Sequence, residues 1–220
     1  AAVGYRVDPA EDSIPDVGPA HLVDARVDPV APGVPDVLGD VGRVVSVLGL
    51  GPHRLGADGR PEWFWDPVAT GGILVDIGSH QVDQFLAFTG ATDAHVVAAR
   101  VRAHADHPGL EVLGEMMLAT ETASGYTRID YFTPAGLGAW GDVRFTVVGT
   151  EGYVEVQHVP QTVLVVDGER AETIDCADEP VDWPDRCLAG TLMTQEHAFT
   201  VTRICLDAQR QARPGNEPAA

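Results

Sequence analysis

Short turns that contain glycine separate the strand-like segments of this chain, and they constrain its fold more than any other feature. Three of them stand at 123–125, 149–152 and 167–168, between runs rich in β-branched and aromatic residues. The Asp-Gly pair at 167–168 is typical of a two-residue hairpin turn. Because such short turns join only neighbouring antiparallel strands, the pattern predicts a sheet that is mostly antiparallel.

Eight segments have the composition of strands, and two have the periodicity of helices. The predicted strands are 43–48, 95–101, 111–120, 125–132, 143–148, 152–157, 162–166 and 169–174. The predicted helices are 71–88, which ends at the C-cap glycine Gly90, and 191–212, whose apolar residues recur every three or four positions. This order predicts an α+β fold, with an open, mostly antiparallel β-sheet and helices packed on one face.

The two ends of the chain differ from its centre. Residues 1–42 contain six Pro and seven Asp, and regular structure does not persist through prolines at that density. We predict an irregular arm over 1–42, one domain over 43–213 and a disordered tail over 214–220. Within the domain, 51–70 is predicted to be a loop that carries the aromatic cluster Trp63-Phe64-Trp65.

The charge of the chain excludes several classes of partner. It has 33 acidic residues against 14 basic ones and a net charge of −19, which argues against nucleic acid and anionic membranes as partners. Every basic residue is arginine, so no lysine of this chain can act in catalysis. No apolar run could span a bilayer, no signal peptide is visible, and the three cysteines form no close-spaced ligand motif. These features predict a cytoplasmic protein.

A Gly-x-Gly sequence at Gly49 and Gly51 resembles the start of a dinucleotide-binding fingerprint. Arg54 stands where the third glycine would be, and Pro52 and Pro61 oppose a helix at this point. Without a helix N-terminus there is nothing to receive a pyrophosphate. We therefore interpret this stretch as a plain loop that binds no cofactor.

Asp76, His80 and Asp83 are spaced to share one face of the predicted helix, opposite its apolar face. A carboxylate beside an imidazole can fix the tautomer of the imidazole and raise its pKa, which suits general acid–base chemistry. The same spacing also fits a solvated polar stripe with an Asp–His ion pair. It could also supply two ligands to a metal, but the sequence points to no further ligands, and we predict no metal site.

Several sequence motifs occur here in a recognisable order. The central one is WFWDP at 63–67 followed by GGILVDIGSHQVD at 71–83. The others are GPHR at 51–54, DYFTPAGL at 130–137, FTVVGTEGYVEV at 145–156, and the helical stretch from MTQEH at 193–197 to AQRQA at 208–212. Together, over about residues 43–213, they resemble the Gfo/Idh/MocA oxidoreductases, a family that includes glucose-fructose oxidoreductase and inositol dehydrogenase.

The resemblance implies that 43–213 is a substrate-binding domain that also forms homo-oligomers through its sheet. It implies that His80 is the acid/base for a substrate hydroxyl and that Asp76 lies beside it. The further substrate-binding candidates are His53, Arg54, Asp83 and Trp63. In the family NAD or NADP is bound by an N-terminal Rossmann domain, which commonly also supplies a catalytic lysine. We expect both to lie outside this chain.

The sequence therefore predicts the substrate-domain portion of an NAD(P)-dependent oxidoreductase that acts on a sugar, polyol or related hydroxy compound. A separate Rossmann domain would be its partner, and the chain alone is expected to bind neither cofactor. Two alternatives stay open. One is a non-catalytic module that binds a ligand or drives oligomerisation, and the other is a metal-dependent hydrolase or isomerase that uses Asp76 and His80.

Overall fold

One eight-stranded sheet and a small set of helices make up the domain. The computed structural model describes residues 38–177 and 194–212. The strands are β1 (Val44–Pro52), β2 (His95–Ala103), β3 (Glu111–Ala119), β4 (Ser124–Asp130), β5 (Arg144–Gly149), β6 (Tyr153–Gln157), β7 (Thr162–Val166) and β8 (Ala171–Asp175). The α-helices are α1 (Pro67–Thr70), α2 (Ile73–Asp76), α3 (Gly78–Thr89) and α4 (Gln195–Ala212), and 3-10 turns lie at Ala57–Gly59, Glu62–Trp65 and Ala135–Leu137.

The strand order is β2-β3-β4-β1-β5-β6-β7-β8. Every neighbouring pair is antiparallel except β1 and β4, which run parallel. The hairpins predicted from the glycine turns are present, and the α+β class with a mostly antiparallel open sheet is confirmed. The parallel pair has a consequence for function, because the carboxyl ends of β1 and β4 meet at the same edge of the sheet.

The helices cover one face of the half of the sheet formed by β2, β3, β4 and β1. Helix α3 packs on β1 and β4, α2 packs on β3, and α4 packs on β2 as well as on α2 and α3. Val82, Phe85 and Leu86 of α3 and Ile204 and Cys205 of α4 are buried. The apolar stripes read from the sequence are therefore the faces that form the core.

Gly49 and Gly51 lie inside β1, so the interpretation of this stretch as a loop is wrong. Both glycines face α3. A Cβ added at Gly49 or Gly51 would stand within 2.8 Å of the side chain of Gln81, which is buried on α3. The glycines are needed for the close approach of helix and strand, and not for a phosphate.

The predicted helix 71–88 is two helices, because the chain turns at Ile77 between α2 and α3. Gly78 begins α3 in close contact with the sheet, where a Cβ would lie 3.0 Å from Met116 Cε and 3.2 Å from Ile129 Cδ1. The prediction that Asp76, His80 and Asp83 share one face of a single helix is therefore wrong. Asp76 ends α2, and the other two belong to α3.

The region predicted as loop, 51–70, is more ordered than expected. After β1 the chain forms two 3-10 turns and then α1, which Asp66 caps by accepting a hydrogen bond from Val68 N at 2.8 Å. Residues 1–37 of the predicted arm, residues 191–193 of the predicted helix and the tail 214–220 lie outside the described residues. Val41 is buried, so the core includes a residue of the predicted arm.

The face of the sheet that turns away from the helices carries apolar side chains in contact with solvent. Leu48 pairs across the strands with Tyr126, and Tyr126 pairs with Met117, so all three side chains project from the same face. Val148 of β5 is opposite Ser46 and lies on that face too. Leu48, Met117 and Val148 are each exposed. We call this surface the open sheet face.

Candidate active site

The carboxyl ends of β1 and β4 bring two segments together that are distant in the sequence. His53 follows β1 directly, and its amide donates a hydrogen bond to the carbonyl of Asp130 at 2.7 Å. Thr133 N in turn donates to the carbonyl of His53 at 3.0 Å. Tyr131, which follows β4, is therefore held at the same edge of the sheet as His53.

Asp76 meets Tyr131 at this edge. The Tyr131 hydroxyl donates a hydrogen bond to Asp76 Oδ2 at 3.1 Å. Tyr131 is buried, whereas Asp76 is exposed at the end of α2. Burial, followed by the negative charge and the hydrogen bond of Asp76, raises the pKa of Tyr131 well above its usual range, and nearby Arg60 opposes this shift. The phenol therefore stays protonated and remains a donor to the carboxylate.

His80 lies in the first turn of α3, one turn of chain beyond Asp76. Its amide donates to the carbonyl of Ile77 at 3.1 Å, and its side chain is partly exposed. The Ser79 hydroxyl donates to the carbonyl of Asp76 at 3.1 Å and so ties the end of α2 to the start of α3. The carboxylate that meets Tyr131 therefore ends α2, and His80 stands on the helix that follows directly, in its first turn.

Asp83 is engaged elsewhere. Its Oδ1 lies 2.6 Å from Nε2 of His197, and both side chains are partly buried between α3 and α4. The carboxylate therefore joins the last helix to α3, which the sequence did not indicate. Its predicted part in substrate binding stays untested, but any ligand would have to share it with His197.

The aromatic cluster divides between core and surface. Phe64 is only 3% exposed, and its ring meets Tyr131 edge to face at 5.8 Å between centroids. Trp63, the predicted substrate-binding residue, is 60% exposed and touches Phe64. Arg60 lies over the rings of Phe64 and Trp140, with its guanidinium carbon 4.2 Å and 4.8 Å from their centroids. Phe64 therefore supports Tyr131, and Trp63 borders the site from outside.

The two remaining candidates face in different directions. His53 is buried, and its Nδ1 lies 3.0 Å from the carbonyl of Gly51, so this nitrogen carries the proton. Arg54 is exposed, and its amide donates to the carbonyl of Trp140 at 2.8 Å. Sequence reasoning missed Tyr131, Phe64 and Arg60 as members of the site. The parallel pairing of β1 and β4 would have identified Tyr131, since it sets the two strand ends side by side.

The described residues form no metal-binding cluster, and the Gly-x-Gly of β1 leaves no space for a pyrophosphate. Within 38–177 and 194–212, no cluster of three or more His, Cys, Asp or Glu side chains could hold a metal ion. The Gly-x-Gly of β1 has no room for a pyrophosphate, because Gln81 fills the space beside both glycines.

Within residues 38–177 and 194–212, no helix is both long and apolar enough to cross a membrane.

Titration of Tyr131 tests the geometry of the site without any ligand. We expect its phenolate to form at higher pH than that of an ordinary tyrosine, and the Asp76→Asn variant to lower this pH, because the carboxylate favours the neutral phenol. In the unfolded chain the phenol of Tyr131 ionises near pH 10. The contribution of the raised pKa to the free energy of unfolding is therefore fully present below about pH 10, and it is lost as the pH rises further. Ultraviolet absorbance of phenolate, with Tyr131→Phe to identify the transition, measures it. Identical titrations of the parent and Asp76→Asn proteins would contradict the contact.

Comparisons with known proteins agree with the fold. Residues 38–155 match the family model described as GFO/IDH/MocA C-terminal domain. A solved protein from Erwinia carotovora atroseptica, described as an oxidoreductase, superposes with a TM-score of 0.76 at 38% identity, covering 86% of this chain and 62% of that one. One from Thermotoga maritima gives 0.70 at 24% identity, with 86% and 60% covered. A 3-ketoreductase from Actinomadura kijaniata, in complex with NADP and TDP-benzene, gives 0.62 at 20% identity, with 84% and 59% covered.

The chain corresponds to only part of each of these solved structures. The chain spans 62%, 60% and 59% of their respective lengths, so each contains a large part that has no counterpart here. Among curated proteins, none matches the chain.

Proposed function

The chain belongs to the GFO/IDH/MocA family, and on this premise we propose that it is the substrate-binding domain of an NAD(P)-dependent oxidoreductase acting on a sugar, polyol or related hydroxy compound. The observation that carries the proposal is the hydrogen bond between Tyr131 and Asp76, on the helix pair that also presents His80. This constellation combines an acid/base group with a carboxylate whose geometry is fixed. It stands at the sheet edge where β1 and β4 both end.

We assign His80 the transfer of the proton of the reacting hydroxyl. An imidazole that is partly exposed can accept this proton when the alcohol is oxidised and return it when the carbonyl is reduced. Asp76 has one oxygen engaged by Tyr131, and its other oxygen is assigned to orient a substrate hydroxyl or the imidazole. The protonated Tyr131 prevents the carboxylate from rotating, because it is buried and donates to one defined oxygen.

NAD or NADP is the cofactor of the proposed reaction. The 3-ketoreductase that shares this fold is a complex with NADP. Since Gln81 fills the space beside the Gly-x-Gly of β1, we propose that a separate nucleotide-binding domain holds the cofactor and that this chain supplies the substrate side of the site. A cytoplasmic location and the lack of nucleic-acid partners stay predictions.

Binding and turnover test the proposal separately. The chain alone is titrated calorimetrically with a panel of sugars and polyols, and at least one is expected to bind in a manner that Asp76→Asn weakens. The same compound is then offered, with NAD⁺ or NADP⁺, to the chain joined to a nucleotide-binding domain of the family, and reduced cofactor is followed by absorbance. A folded, joined protein that oxidises no compound of the panel would overturn the proposal.

The open sheet face supports a second role, self-association. Its apolar side chains Leu48, Met117 and Val148 lie on β1, β3 and β5, and Tyr126 of β4 stands between the first two. The face also has a polar part, in which the Tyr126 hydroxyl donates to Glu115 Oε1 at 2.6 Å and Arg100 pairs with the same carboxylate. A mixed surface of this kind is typical of interfaces between protein subunits. We propose that a second copy of this chain covers it, as the family resemblance implies.

Replacing Leu48 by glutamate is expected to dissociate the oligomer, because it places a charge in the apolar part of the open sheet face. Sedimentation velocity should show a dissociation constant raised by at least about tenfold. The matched control is Val68→Glu, which adds the same charge at a residue of α1 that is almost fully exposed. A parent chain that is monomeric at all concentrations tested, or a Leu48→Glu protein that associates like the control, would contradict the proposed interface.

A further inference from the structure

A buried polar cluster ties the last helix to the beginning of α2. Gln209 of α4 is only 3% exposed. Its Oε1 accepts a hydrogen bond from Leu74 N at 3.2 Å, and its Nε2 donates to both carboxylate oxygens of Glu111, at 2.8 Å and 3.0 Å. Glu111 Oε2 also accepts from Ile73 N at 2.9 Å. Two amides at the start of α2, which lack partners within the helix, are thus satisfied by side chains from α4 and β3.

Gly72 completes the cluster sterically. Its φ of +101° is a conformation that residues with a side chain rarely adopt. A Cβ at this position would also lie 2.5 Å from the Gln209 amide carbon and oxygen. The amide of Gln209 therefore packs directly against the backbone of Gly72. A small movement of Gln209 would have to move the start of α2.

The start of α2 is one helical turn from Asp76. The carbonyl of Gly72 accepts hydrogen bonds from Asp76 N at 2.9 Å and Val75 N at 3.1 Å. Tyr131, the hydrogen-bond partner of Asp76, is held by β3, the strand that also carries Glu111. The amide of Tyr131 donates to the carbonyl of Val112 at 3.0 Å. Glu111 and Val112 are consecutive residues at the start of β3, so a single short segment fixes both sides of the contact between Asp76 and Tyr131.

We infer that Gln209 and Glu111 are positioning residues of the proposed active site, which hold the start of α2 so that Asp76 stays within hydrogen-bond distance of Tyr131. This inference rests on the proposed function for its catalytic meaning, but its structural content does not depend on any substrate. Both side chains are too far along the chain from Asp76 for the sequence to have linked them. The last helix thus has a role at the site beyond packing on the sheet.

An exchange of the two side chains tests the inference. In Gln209→Glu two carboxylates would meet, and in Glu111→Gln the amide groups compete for too few acceptors. In the double variant Glu111→Gln with Gln209→Glu, the amide introduced at 111 donates to the carboxylate introduced at 209, and Leu74 N and Ile73 N each keep an oxygen acceptor, so that only the second of the two contacts between the side chains lacks a donor. We expect each single variant to move the Tyr131 titration towards that of Asp76→Asn, and the double variant to return it most of the way towards the parent value. In the enzyme joined to its nucleotide-binding domain, kcat should fall by roughly tenfold to a hundredfold in the single variants and recover in the double.

The controls separate positioning from stability and from the proposed function. Gln211→Glu places the same charge on an exposed residue of α4 two positions away and should leave the Tyr131 titration unchanged. If the single variants lower the melting temperature but leave the Tyr131 titration at the parent value, the cluster is only structural and the inference is wrong. If one single variant does not fold, the other and the double variant decide the same question. Since the titration needs no substrate, failure of the proposed function would appear as lack of turnover with an intact Tyr131 response.

Discussion

The His80→Ala variant, joined to a nucleotide-binding domain of the family, is expected to lose dehydrogenase activity by about 10²–10⁴-fold, the usual contribution of a general acid–base group. The loss should appear mainly in kcat, because the imidazole acts on the proton of the reacting hydroxyl and not on the bulk of the substrate. The steady-state rate of cofactor reduction, measured with the compound that binds best to the chain, gives both parameters.

His95→Ala is the matched control for this variant. His95 is exposed at the start of β2, where its partner Ala119 ends β3, at the opposite end of these strands from the site. Its removal should leave kcat and KM close to the parent values. If His80→Ala keeps parental activity while Asp76→Asn loses it, the acid/base role moves from the imidazole to another group. If both keep it, the assignment of this edge of the sheet as the active site is wrong.

Local chemistry made most of the sheet predictable from the sequence. The hairpin between β7 and β8 depends on Asp167 and Gly168, and every strand between His95 and Asp175 begins and ends within a few residues of its prediction. The position of β1 was not predictable, because its pairing with β4 joins segments such as Val47 and Gly125 that lie far apart in the chain. No turn between them encodes that contact, because the pairing joins two strands separated by α1, α2, α3, β2 and β3.

In the candidate site, too, local sequence signals were readable and contacts between distant segments were not. Asp76 and His80 are marked by a local motif, but the structure places them on two consecutive helices where the motif predicted one. Tyr131 was hidden because the predicted strand ran through it to 132, whereas β4 ends at Asp130. The contacts of Gln209 with Glu111 and of His197 with Asp83 both come from the last helix. Its polar residues carry no local signal of what they touch, so only the folded chain shows them.

Phe64→Ala is expected to destabilise the domain by about 3–5 kcal/mol, as removal of a fully buried phenylalanine usually does. The ring lies among neighbours that would all lose contact with it, and three of them approach it most closely. Trp65 and Tyr131 meet it edge to face at 5.7 Å and 5.8 Å, and the Arg60 guanidinium lies 4.2 Å above it. Chemical denaturation followed by circular dichroism measures the change in the free energy of unfolding.

The effect of this variant should reach the active site as well as the core. Tyr131 would lose the ring that packs against it, and water would enter beside its hydroxyl. Since burial is the largest cause of the raised pKa of Tyr131, the phenol should titrate at lower pH in any folded Phe64→Ala protein. Phe199→Ala is the control, because Phe199 on α4 is 65% exposed and its removal should cost less than about 0.5 kcal/mol. Equal losses of stability in the two variants would contradict the role of Phe64 in the core, and an unchanged Tyr131 titration in a folded Phe64→Ala protein would contradict its support of Tyr131.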